Sequence, residues 1–225
     1  MSLSCTSQQV SAPTEVTLAA LNRIFQYLKH TSKIRLASRL YGPDIDSTQP
    51  KQQKNDQKGW EFYTDSNYAA DRSRNGFLAT EEGAPVGWHA RLSSVAFAHP
   101  DIGEAHSDTS SGAAEVYAAA NATHEILELS DAADGAGIEF PQPAILQMDN
   151  AAAEAFTNNS SFKSKLKHID CRQQWVRTLR DKSIVIPEHV PTADNLADLF
   201  TKILPALTFI KLRNQIMHEL PSTIY

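Results

Sequence analysis

The sequence predicts an α/β fold: a mixed five-stranded sheet, three strands in an antiparallel meander and two parallel, with helices on both faces. Two observations carry this. The order of apolar runs and helical patterns after residue 59 is three strands, helix, strand, helices, strand, helix. Strands joined through helices form parallel pairs, whereas strands joined by short turns form antiparallel ones. In addition, two apolar runs, residues 60–65 (WEFYTD) and 144–149 (AILQMD), each end in an aspartate followed by small or polar residues. Aspartates at the ends of buried strands stand at the sheet edge where α/β folds bind ligands.

Residues 1–14 are polar and read as a disordered tail. Leu18, Leu21, Ile24, Phe25 and Leu28 recur at helical spacing and predict a helix with one apolar face over 15–30. A short strand-like piece, Ile34 to Tyr41, follows within a unit spanning 15–42. Residues 43–58 are polar and without periodicity, the pattern of a linker. The main domain spans 59–204. Its second and third strands are expected at 76–79 and 84–88, with Glu81-Glu82-Gly83 as the turn. A long polar connection covers 98–111, and Ser110-Ser111 are suited to cap a helix over 112–130. That helix is expected to bury Val116, Ala119, Ala120, Thr123, Ile126 and Leu127. A short helix is expected over 151–158, a longer one over 167–181, a strand at 184–186 and a helix over 195–202. Residues 205–225 hold a last amphipathic helix, from Leu207 to Leu220. Trp88 and Trp175 sit at apolar spacing and are expected in the core.

Composition bounds the function. Hydrophobic residues make up 41% of 225, enough for a real core. A formal net charge of −5 argues against broad, charge-driven binding of nucleic acid, while leaving room for a local basic face. Neither Cys5 nor Cys171 belongs to a CxxC pair, so no zinc ribbon or disulfide framework is visible. The expected setting is reducing and intracellular, cytoplasmic or nuclear. No apolar run reaches membrane-span length.

Four acidic residues stand at element starts or ends: Asp65, Glu115, Asp149 and Asp198. Converging carboxylates repel unless a cation neutralises them, and an all-oxygen set suits Mg²⁺ or Mn²⁺ rather than zinc. Two such ions roughly 4 Å apart are the usual apparatus of phosphodiester hydrolysis. Each residue has an ordinary reading too. Asp65 and Asp149 suit turns, Glu115 suits the start of a helix, and Asp198 suits a solvated helix.

Several segments together resemble a known family. YTDSNYAADRSRNG around Asp65, SDTSSGAAEVYAA around Glu115, LQMDNAAA around Asp149, Lys167-His168-Ile169-Asp170, and HVPTADNLADLFTKILP from His189 to Pro205 match, in order, the ribonuclease H domain of copia-type retrotransposon polyproteins. The helix at 20–31 looks like the segment joining the reverse transcriptase to that domain. The resemblance implies a ribonuclease H-like fold and hydrolysis of the RNA strand of RNA–DNA hybrids with two Mg²⁺ ions, for which Mn²⁺ substitutes. It assigns Asp65, Glu115, Asp149 and Asp198 as metal ligands. It makes His189 a candidate for assisting proton transfer or product release, beside the plain reading of a loop histidine. A reverse transcriptase domain of the same polyprotein is an implied partner, and the chain is expected to be a monomer. The family's usual second glutamate is replaced by Ala113, and the connection 98–111 is longer than the family's.

The dense basic tract, which includes Lys165, Lys167, His168 and Arg172, is a candidate phosphate-contacting surface. Ser66, Asn67 and Asn150 flank the aspartates and are candidates for contacting ribose 2′ hydroxyls, although turn formation explains them equally. The alternative to an enzyme is a non-catalytic hybrid-binding or scaffold module derived from a retroelement. An integrase on the same fold is disfavoured, because its glutamate follows the second aspartate, whereas Glu115 precedes Asp149.

Overall fold

The computed structural model describes residues 14–31, 34–35, 59–67, 73–92, 107–149 and 167–219. Side chains of 34–35, 107–113, 167–170, 173 and 218–219 lie outside the described set. So do the 1–13 tail, the 43–58 linker, most of the 98–111 connection and the helix expected over 151–158.

In chain order the elements are α1 (Glu15–His30), β1 (Ile34–Arg35), β2 (Trp60–Asn67), β3 (Arg74–Glu81), β4 (Ala84–Leu92), α2 (Ser107–Ala136), β5 (Ala144–Met148), α3 (Lys167–Asp181), β6 (Val185–His189), a 3₁₀ turn (Thr192–Asp194), α4 (Asp198–Thr201), α5 (Ala206–Ile216) and β7 (His218–Glu219). The main sheet has the order β4-β3-β2-β5-β6. Strands β2, β3 and β4 form an antiparallel meander, and β5 and β6 add in parallel beside β2. This is the expected five-stranded mixed sheet, three strands antiparallel and two parallel. A separate two-stranded sheet pairs β1 with β7.

Residue chemistry accounts for the elements. The β3–β4 hairpin turns at Glu82 and Gly83, both at positive φ (51° and 77°). Two consecutive positive φ values define the tight turn whose twist matches paired strands. The alanine-rich α2 lies flat on one face of the sheet. Its Val116, Ala119, Ala120 and Ile126 pack with Phe62, Phe77, Leu146, Met148 and Val176 in one core. On the opposite face Tyr63 and Leu78 pack with Leu196, Ala197, Leu212 and Ile216. Alternating side chains of β2 therefore serve two layers, Phe62 one and Tyr63 the other.

Several boundaries differ from the sequence reading. The helix expected from 112 begins at Ser107 and runs to Ala136, taking up part of the presumed connection. Of the helix expected over 195–202 only Asp198–Thr201 is helical, and a 3₁₀ turn at Thr192–Asp194 precedes it. The short strand 184–186 runs instead from Val185 to His189. Neither tryptophan is in the core: Trp88 is 54% exposed and Trp175 is 37% exposed. Trp88 lies on an edge strand, on the face opposite His89 and Gly87, and the layer that buries Leu78 does not extend over it. Trp175 stacks on His124 at the α2–α3 contact, with ring centroids 5.4 Å apart. The apolar face of α1 forms as a helix but stays largely open. Leu18, Phe25 and Leu28 are exposed, and Tyr27 meets α5 through Phe209 and Arg213.

Candidate metal centre at the sheet edge

Register places the first two carboxylates. Thr64 of β2 pairs with Met148 of β5, and Met148 pairs with His189 of β6, all in parallel. Asp65 and Asp149 are the next residues along two adjacent parallel strands, so both reach the same edge. Asp198 arrives from 49 residues further along the chain, at the start of α4. Oxygens of Asp65, Asp149 and Asp198 all lie within 4.8 Å of one another. Asp65 and Asp198 are buried and Asp149 nearly so, with 12% side-chain exposure.

Asp198 is held there by a small framework. Asn195 is fully buried; its amide donates to the Thr64 carbonyl at 3.1 Å, and its Oδ1 accepts from the Ala197 amide at 3.1 Å. One side chain thus ties the turn before Asp198 to the strand carrying Asp65. The Thr201 hydroxyl donates to Asp65 Oδ2, and Asn67 donates to the Thr201 carbonyl at 3.2 Å. Close approach of α4 depends on Gly76, which pairs with Asp65 across the β2–β3 ladder. A Cβ on Gly76 would stand 2.7 Å from Thr201 Cγ2, 3.0 Å from the Ala197 carbonyl oxygen and 3.1 Å from Phe200 Cβ.

A cation sits among the three carboxylates. Lys202 Nζ is 2.7 Å from Asp198 Oδ1, 3.1 Å from Asp65 Oδ1 and 3.2 Å from Asp149 Oδ2. Burial raises the Asp198 carboxyl, up to about 6, with the Asp65 charge adding to the rise and the Lys202 hydrogen bond opposing it. Asp65 is likewise raised by burial, against the pull of Thr201 and Lys202. Burial alone would lower the pKa of Lys202. Its hydrogen bond to Asp198 and the charges of Asp65 and Asp198 outweigh that and hold the ammonium above its usual range.

The other predicted residues divide. Glu115 is buried in α2 and lies outside the group of three convergent carboxylates. His189 is exposed at the end of β6, and its backbone pairs with the residue before Asp149. Ser66 Oγ is buried with no hydrogen-bond partner among the described residues. Asn67 is engaged with Thr201, a structural tie rather than an open contact. Arg172 lies 4.1 Å over the Tyr117 ring and donates to Asn121 Oδ1 at 3.4 Å, so it joins α3 to α2. Asn150 and Lys165 lie outside the described residues, as do the side chains of Lys167 and His168. Sequence reasoning missed Asn195, Thr201 and Lys202 as members of the site. The one available signal was their place within the matched segment from His189 to Pro205.

The donor set is all oxygen, convergent and partly desolvated, which fits a hard divalent cation such as Mg²⁺ or Mn²⁺. Comparison with known proteins finds relatives among transposon polyproteins. The chain is 27% identical over 207 residues to the retrovirus-related Pol polyprotein from transposon RE1 of Arabidopsis thaliana, covering 90% of this chain. It is 26% identical over 151 residues to the corresponding polyprotein from transposon TNT 1-94 of Nicotiana tabacum, covering 65% of this chain. The chain resembles transposon Pol polyproteins. It spans 12% of the length of the RE1 polyprotein and 10% of the TNT 1-94 polyprotein. No protein-family model matches. Among solved structures, LC11-RNase H1 in complex with RNA/DNA hybrid aligns with TM-score 0.41 at 14% identity, over 63% of this chain and 93% of its own. RNase H1 from Halobacterium salinarum aligns with TM-score 0.42 at 16% identity, over 63% of this chain and 93% of its own.

Proposed function

We propose that this chain is a ribonuclease H: an endonuclease that hydrolyses the RNA strand of RNA–DNA hybrids, using divalent cations, within retrotransposon reverse transcription. The observation that carries the reading is the convergence of Asp65, Asp149 and Asp198 at one sheet edge. It is joined by the similarity to transposon Pol polyproteins.

Asp65, Asp149 and Asp198 would hold the metal, and Glu115 is the fourth ligand that the family resemblance implies for the two Mg²⁺ ions. A divalent cation bound there supplies charge neutralisation, an acidified water and stabilisation of the leaving oxygen. The chain's own residues fix the donors. Asn195 holds the turn that presents Asp198, Thr201 orients Asp65 through its hydroxyl, and the β2–β5 register sets Asp65 beside Asp149. His189, exposed at the end of β6, is the residue that the family resemblance implies for assisting proton transfer or product release. A reverse transcriptase domain of the same polyprotein is the partner that this reading implies, and the chain acts as a monomer.

One observation favours a second reading. Lys202 already contacts all three carboxylates, so the cluster is neutralised in part without metal. A non-catalytic hybrid-binding or scaffold module would retain such an ion cluster for stability. Incubation of the purified chain with a labelled hybrid in Mg²⁺ separates the two. Metal-dependent cuts in the RNA strand support the enzyme, and tight hybrid binding with intact RNA supports the module.

A further inference from the structure

Three carboxylates whose oxygens lie within 4.8 Å of one another would repel strongly if nothing stood among them. In this fold one side chain of the chain itself stands there. The Lys202 ammonium contacts Asp65, Asp149 and Asp198 at 3.1, 3.2 and 2.7 Å. It therefore occupies the place where an all-oxygen donor set would hold a hard cation. A divalent ion and the ammonium cannot share that place, because both need the same inward oxygens and their charges repel.

Lys202 is built to leave. It is the C-cap of α4, where the backbone turns extended, and its own amide remains bonded to the Asp198 carbonyl at 3.0 Å. The backbone anchor is thus independent of the side chain. The side chain is 30% exposed, whereas those of Asp65 and Asp198 are only 4% exposed. Lysine carries its charge on a flexible four-carbon stem, so the ammonium can change position without any move of the backbone. Asp65 keeps a second tie, to Thr201, and the turn before Asp198 is held by Asn195, whereas among the described residues the one partner of the Asp149 carboxylate is Lys202 itself.

We propose that Lys202 is a displaceable resident cation. It keeps the three carboxylates convergent before metal loads and must be expelled from the cage when a divalent ion enters. This rests on the reading of the cluster as a metal site. Lys202 is a positioning residue, and it sets the affinity of the cage: the chain binds metal more weakly than the same carboxylates would alone, and in exchange the site stays folded when empty.

The test is a titration of the full chain with Mn²⁺, followed by calorimetry and by thermal unfolding, for wild type, Lys202→Met and Lys202→Arg. Methionine keeps the length and removes the charge. Loss of a cation in direct contact with three carboxylates is expected to tighten Mn²⁺ binding by about tenfold or more, by analogy with the one- to three-unit effect of a neighbouring charge on a carboxylate. Metal-free Lys202→Met is expected to melt below wild type and to gain more in Tm from saturating Mn²⁺. Arginine, which keeps the charge, is expected to restore most of the metal-free stability. If Lys202→Met does not fold without metal, refolding on addition of Mn²⁺ supports the proposal, and failure to refold overturns it. Equal or weaker Mn²⁺ binding by a folded Lys202→Met also overturns it. Asp149→Asn, expected to lose the binding, shows that the ion titrated is the one in the cage. Cleavage is read separately. A chain whose Mn²⁺ affinity rises in Lys202→Met but which leaves hybrids intact keeps this inference and loses the ribonuclease reading.

Discussion

Gly76→Ala isolates the close approach that brings Asp198 to the sheet edge. Gly76 lies in the middle of β3 and its φ is not in the left-handed region, so alanine fits the backbone there. In an ordinary strand this change would be neutral or mildly stabilising, because glycine weakens strand interiors. Here the added methyl would stand 2.7 Å from Thr201 Cγ2. Carbon atoms pack at about 3.5–4.0 Å, so α4 must retreat by roughly 1 Å. Two of the three contacts, the Ala197 carbonyl and Phe200 Cβ, belong to backbone or near-backbone atoms that cannot rotate away. Overpacking of this kind costs about 1–3 kcal/mol. For a chain of this size that corresponds to a fall in Tm of about 2–12 °C. Retreat of α4 carries Thr201 from Asp65 and Asp198 from the cage, and a 1 Å misplacement at a reacting centre costs on the order of 100-fold in rate. The assay is thermal unfolding by circular dichroism together with hybrid cleavage and Mn²⁺ affinity. A Gly76→Ala protein with raised Tm and unchanged Mn²⁺ affinity would refute the reasoning.

Further outcomes follow from the same geometry. Asp149→Asn should abolish hybrid cleavage with the fold intact, since Asp149 is the least buried of the three carboxylates; retained cleavage removes it from the site. Asn195→Ala strips two buried hydrogen bonds and leaves the Thr64 carbonyl without its amide donor, a loss of about 2 kcal/mol or more in denaturant unfolding; a change under about 0.5 kcal/mol contradicts its role. Asp198 is raised to about 6 from 3.8 by burial, so the folded chain binds the proton more tightly than the unfolded chain. The metal-free protein should therefore lose about 1–3 kcal/mol as pH rises from 4 to 6, stability that is fully present below that window. Chemical unfolding of wild type beside Asp198→Asn reads this difference, and parallel curves for the two proteins contradict it.

The sequence revealed the site as far as its signals were local. Asp65 and Asp149 were legible because each ends an apolar run, and because a helical crossover makes the two strands parallel neighbours in the same direction. Asp198 was a candidate by its place at the start of a helix, and the matched segment around it strengthened the assignment, since nothing in a four-residue helix marks it as buried. Asn195 and Thr201 escaped because their importance lies in contacts with Thr64 and Asp65, more than 130 positions earlier, and Lys202 because its local partner Asp198 is only one of the three carboxylates it joins. No local pattern encodes such a return. Trp88 was misread for a related reason. Its period-two spacing is that of a strand, but spacing does not tell a central strand from an edge, and the edge leaves that face uncovered. Arg172 shows the same limit from the polar side. A basic tract suggests a phosphate surface, and nothing local in it announces that this guanidinium also lies over the Tyr117 ring and donates to Asn121 Oδ1.

The most direct measurement is cleavage of a uniformly labelled RNA–DNA hybrid by the purified chain, in Mg²⁺, in Mn²⁺ and after chelation, with Asp149→Asn alongside. The account predicts internal cuts in the RNA strand that require the metal and vanish in Asp149→Asn. Intact RNA in both metals, from a chain that is folded and binds Mn²⁺ at the three carboxylates, would contradict it.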